Sequence, residues 1–296
     1  MTRQMGISRW WIALTVGVCL SWAYPAFADE PVPPGPGVTI NVAGVDEPSS
    51  PDPDTNCTGT DPVTCATLRE AIMFANGNTA TDGTQTQDTI VLPEGTYTLT
   101  IEGLDETFEP GELPEDPPIV TNEPDAAVGD LDITESIIIE GAGSELTTIQ
   151  WGEGVTNGDR VLHIYDPTED VFAEIRGLTV ANGVLVSEAL GEGPPSDFGE
   201  EPTEWQGMRA GAGIAMGPAA GSSLFDPNLE GDEHSAGRGG SQKPDDPGGE
   251  TGGSYALILS DVAITGNTTD GDGGGLYNAG PVTASEIVVT NNQCGK

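Results

Sequence analysis

The chain has 296 residues, with 48 Asp and Glu against nine Lys and Arg and a formal net charge of −39. That balance excludes electrostatic nucleic-acid binding, because so few scattered cations cannot assemble a basic patch, and it disfavours anionic membrane surfaces. Two causes produce such acidity: ligands for divalent cations, or a hydrated surface suited to salt.

Residues 1–28 read as a secretory signal peptide. Arg3 and Arg9 give a basic start, "WWIALTVGVCLSWA" an apolar run, and Ala26-Phe27-Ala28 a small-residue cleavage site. The run is short for a bilayer span, and no later stretch is long and apolar enough for one. Val18 before Cys19 is too large for lipoprotein processing. The expected mature chain is exported and soluble. Residues 29–37, "DEPVPPGPG", form a Pro-rich linker.

Residues 38–87 open with a strand, "VTINVAG", and a polar loop. In an oxidising compartment Cys57 and Cys65 of "CTGTDPVTC" are expected to close a small loop, which leaves Cys294 without an evident partner. A short amphipathic helix follows in "CATLREAIMFAN". Leu68, Ala71, Ile72 and Ala75 share one face, Thr67 and Glu70 fit a capping box, and Gly77-Asn78 fits a stop.

From residue 88 to 296 the chain reads as short β-branched strands bounded by Gly, Asn or Asp. Three Gly/Pro/acid-rich insertions interrupt them, near 102–128, 185–208 and 217–253. "SDVAITGN" and "SEIVVTNN" are near-copies 25 residues apart, "IRGLTVANG" fits the same frame, and "GAGIAM" around Ile214 parallels "GGGLYN" around Leu276. A short β-rich repeat of this kind predicts an all-β stacked solenoid, with Asn182, Asn267 and Asn292 as a hydrogen-bonded turn ladder. The helix would then cap the first turn, laying Leu68, Ile72 and Ala75 over its open end. The last repeat runs almost into the terminus without an evident cap, as a fragment would.

"CATLREAI" resembles the opening of the bacterial CSLREA domain, with Ala66 and Thr67 where that motif has one residue. The preceding "VTINVAGVDEPSS" and the following "DTIVLPEGTYTLT" are similar to that family too, over roughly Val38 to Tyr97. "GDGGGLYNAG" and "IVVTNN" look like repeats of β-helix surface proteins, including polymorphic outer-membrane adhesins. The resemblance implies a right-handed parallel β-helix, export to the surface or medium of a bacterium, and no assigned chemistry.

Enzymes also use this fold. A polysaccharide lyase needs a base, often Arg or Lys, with Ca²⁺ to neutralise a uronate. Arg160 and Arg176 flank strands and are the best candidates; the plainer reading is charge-balancing surface residues. A glycoside hydrolase needs two facing carboxylates, and Asp130 and Asp132 share a face in an extended "GDLD". Asp270 and Asp272 in "TTDGDGGGLYN" are Ca²⁺ candidates on a turn that also reads as a plain tight turn. His163 and His234 form no metal site by spacing. The first expectation is a non-catalytic exported protein used for adhesion, meeting an extracellular glycan or surface protein. The rivals are a Ca²⁺-assisted lyase or hydrolase and an inert passenger segment.

Overall fold

The β-branched runs pair mostly in parallel, and mostly with runs further along the chain rather than with their immediate neighbours in sequence. The computed structural model describes residues 34–47, 50–78, 86–102, 108–109, 119–120, 126–153, 159–166, 170–185, 211–217, 255–269, 273–278 and 280–295. All of these lie in one unit, Pro31–Lys296.

In chain order the elements are β1 (Gly35–Val42), α1 (Pro53–Asn56), β2 (Cys57–Gly59), β3 (Val63–Cys65), α2 (Leu68–Gly77), β4 (Thr86–Val91) and β5 (Gly95–Leu99). Then come β6 (Phe108–Glu109), β7 (Ile119–Val120), β8 (Leu131–Ile133), β9 (Ile137–Glu140), β10 (Thr147–Trp151), β11 (Leu162–Ile164) and β12 (Val171–Ala181). The last are β13 (Val184–Leu185), β14 (Ile214–Met216), β15 (Tyr255–Thr265), β16 (Thr268–Thr269), β17 (Leu276–Asn278) and β18 (Val282–Thr290). Strand begins at Gly35, inside the segment read as linker, because Gly35 and Pro36 pair with Thr86 and Gln87.

The largest sheet runs β18-β15-β12-β9-β4-β1-β3-β2, and β10 joins it by pairing with β12 and β5. A second sheet runs β17-β14-β11-β8, and β13 pairs with β16. Among the described strands only β2–β3 and β6–β7 pair antiparallel. The molecule is thus mostly β-sheet, with parallel strands and little helix.

Period-2 alternation decides what is buried. Ile137 and Ile139 point inward, as do Ile149 and Trp151, and they meet Leu131, Ile133, Leu162, Ile164, Ile214 and Met216 of the second sheet in one core. The 25-residue repeat is the actual register, since Leu257 pairs with Val282 and Thr265 with Thr290. Ile214 likewise pairs with Leu276.

The start of the chain closes one edge. Cys57 and Cys65 are disulfide-bonded and stand opposite each other in the β2–β3 hairpin, which covers β1. In α2 the side chain of N-cap Thr67 accepts from the Glu70 N–H, and Asn78 is the C-cap. Leu68, Ala71, Ile72 and Ala75 are buried in the shared core. The helix lies beside β8, the outermost strand of the second sheet. Asn76 donates from Nδ2 to the Asp132 carbonyl at 2.8 Å and accepts from the Thr134 N–H at 3.2 Å, as a neighbouring strand would. Arg69, 1% exposed, donates to the carbonyls of Ala126, Gly129 and Asp130 and pairs with Glu47. The helix α2 therefore satisfies a sheet edge as well as covering apolar surface.

Candidate functional site

The second sheet turns Leu131, Ile133, Leu162 and Ile164 into the core, so Asp132 and His163 between them point to its other side. Parallel pairing sets His163 directly opposite Asp132. Both are buried, at 1% and 2% exposure. His163 Nδ1 lies 3.0 Å from Asp132 Oδ1, and its Nε2 lies 3.4 Å from the Gly217 carbonyl. The ring stacks on Tyr165, with centroids 5.8 Å apart.

Asp130 joins them. One oxygen or nitrogen from each of Asp130, Asp132 and His163 fits within 4.8 Å of the others. Arg160 sits alongside, with Nη1 3.4 Å from Asp130 Oδ2 and 3.9 Å from Asp159 Oδ1. The Arg160 backbone is fixed at both ends: its N–H donates to Asp159 at 2.8 Å, and its carbonyl accepts from Trp151 Nε1 at 2.6 Å. Three carboxylates, a guanidinium and an imidazole thus share a buried place beside β8 and β11. Nearby, burial and the adjacent Tyr165 push the Tyr255 hydroxyl above its ordinary range, and it donates to the Asp166 carbonyl at 2.6 Å.

Arg160 is therefore not the surface residue that its flanking position implied. It is 2% exposed, drawn in by Asp130 and Asp159. Arg176 is a surface residue, its side chain 38% exposed and paired with Glu140 at 2.8 Å and Glu174 at 2.9 Å. The Glu140 carboxylate beside it raises its already high pKa further, which opposes service as a base. The spacing argument that left His163 without metal-ligand neighbours is also corrected. Its partners come from another strand, 31 residues away, which spacing within one strand cannot show. Asp270, Asp272 and His234 lie outside the described residues.

The turn ladder is corrected by one residue. Asn267 and Asn292 do stack: Asn267 donates from its N–H and from Nδ2 to Asn292 Oδ1, at 3.0 and 2.9 Å. Asn182 is not their third member. The register Ala181–Thr265 sets Asn182 beside Gly266, and Gly183 beside Asn267. Asn182, Gly266 and Asn291 share a left-handed backbone, with φ of 59°, 71° and 57°. Glycine and asparagine tolerate that conformation best, so the first position of each turn selects them for the backbone. The second selects Asn for its bonds, and the Gly183 N–H donates to Asn267 Oδ1 at 2.8 Å.

A shallow depression lined by Val45, Glu47, Arg69 and Leu99 has a cavity volume of about 10 Å³, far below the roughly 300–1,000 Å³ of small-molecule pockets. The large sheet carries a rank of hydroxyl side chains. Thr96, Thr148 and Thr179 stand in register across β5, β10 and β12, with Thr98 beside Gln150.

Comparison with protein-family models, with curated proteins and with solved structures returns no match. The family resemblance therefore rests on the motifs quoted from the sequence.

Proposed function

We propose that the chain is an exported bacterial surface or secreted protein of the CSLREA kind. On this reading it folds as a right-handed parallel β-helix, and it binds rather than catalyses. Parallel pairing of each strand with the preceding and following passes supports the β-helix, as does the 25-residue register. The observation that carries the non-catalytic reading is the state of the two cations suited to lyase chemistry. Arg160 is buried against carboxylates, and Arg176 is paired with two glutamates that hold its proton more firmly.

The partner that fits the surface is a neutral extracellular polysaccharide. Adjacent strands set the threonine rank at a repeat of about 4.8 Å. The Thr179 hydroxyl donates to the Ser144 carbonyl at 2.6 Å, and exposed Thr96 and part-exposed Thr148 offer theirs to an extended glycan. A net charge of −39 repels polyuronates unless a divalent cation bridges them. The test is to offer the secreted chain, from Asp29 onward, to neutral and acidic polysaccharides with and without Ca²⁺, following retention and product release together. Retention of neutral glycan without shortened product is expected. Unsaturated or shortened product overturns the binding reading.

A further inference from the structure

We propose that Asp130, Asp132 and His163 form a buried site for one divalent transition cation, of the Zn²⁺ or Mn²⁺ type, which ties β8 to β11. The inference does not depend on glycan binding.

The argument begins with the contact between Asp132 and His163. The Gly217 carbonyl can only accept, so its contact with Nε2 places a proton on that nitrogen. Such a bond to the far ring nitrogen is what orients a metal-ligating histidine. In the neutral ring Nδ1 then presents a lone pair to Asp132 Oδ1 at 3.0 Å. Two acceptors held that close in a buried setting repel unless a cation lies with them. Two ligands at about 2.1 Å are about 3.0 Å apart on an octahedral ion such as Mn²⁺, which is the separation seen, and about 3.4 Å apart on a tetrahedral one such as Zn²⁺.

A second observation points the same way. Asp132 Oδ2 is buried and, among the described residues, accepts no hydrogen bond. An orphaned carboxylate oxygen costs stability, and a cation beside it removes that cost. Asp130 supplies a third ligand within 4.8 Å. One imidazole and two carboxylates favour a transition cation over Ca²⁺, which prefers an all-oxygen shell. The supporting frame is already braced, because Arg69 holds the Asp130 carbonyl and Asn76 the Asp132 carbonyl.

The test uses the full secreted chain, stripped with a chelator and titrated with Zn²⁺, Mn²⁺ and Ca²⁺ by calorimetry and thermal unfolding. One Zn²⁺ or Mn²⁺ per chain is expected, with a higher Tm, and with affinity falling about 100-fold or more in Asp132→Asn and His163→Gln. Binding that both variants keep overturns the assignment, because it then belongs to surface acids. Absence of binding overturns it too, and leaves a proton as the cation between Asp132 and His163. If neither variant folds, Co²⁺ in the unaltered chain decides. Shifted imidazole signals from one of its two histidines support the site, and their absence overturns it. Glycan retention is read separately, so either idea can fail without the other.

Discussion

At the scale of single residues, the two asparagine positions in each turn do different work, and substitution separates them. Asn267 is fully buried and bonds Gly183, Val180 and Asn292. Asn267→Ala therefore leaves the Gly183 N–H without its acceptor and removes the donor to the Val180 carbonyl, while Asn292 keeps the Asn267 N–H, and it costs about 3 kcal/mol. Asn182 holds φ at 59° and makes an exposed bond to Gln150. Asn182→Gly is expected to change stability by less than about 0.5 kcal/mol. Urea unfolding of both variants checks the contrast, and equal losses would contradict the register. The sequence could not separate these positions, because asparagine serves both needs. The same limit hid the Asp132–His163 contact. "GDLDIT" and "RVLHIY" share the apolar pattern of "GAGIAM" and "GGGLYN", and that alignment extended backward would have set the two residues side by side.

At the scale of elements, α2 was legible because it carries its own signals in ten residues. Its period, its capping box and its stop all lie within one window. Its polar face was not legible, since Arg69 and Asn76 bond carbonyls that the sequence places about 60 residues away. Those contacts make Arg69 the strongest polar brace described at this end. Arg69→Ala leaves Glu47 with its charge buried and strands three carbonyls, so a loss of about 3–5 kcal/mol is expected. Arg176→Ala is the control: it and its partners are solvent-accessible, with the Glu140 side chain exposed and that of Glu174 part-exposed, and its loss should stay below about 1 kcal/mol. Denaturant midpoints compare the two directly. A small effect at Arg69 would show that the apolar face of α2 and the Cys57–Cys65 bond suffice to close the edge.

At the scale of the whole molecule, the acidity and the sheets act against each other. A net charge of −39 resists compaction, and salt screens it over about 8–10 Å at ordinary ionic strength. Tm is therefore expected to rise as NaCl goes from about 0.01 to about 0.5 M, with KCl equivalent. A rise confined to Ca²⁺ would assign the acids to ion binding instead. Parallel β architecture was legible in outline because β15 and β18 are joined without an insertion, so their shared frame survives in the sequence. Earlier passes carry segments of unequal length between the same strands, and that obscured their register. The matched passes have a consequence for heredity. A block of 25 residues whose inward and left-handed positions fall at the same offsets in both neighbours can be copied or lost in frame by unequal recombination. If the fold is the proposed β-helix, a gene of this kind changes the reach of its product in whole increments, and no new packing has to be found each time.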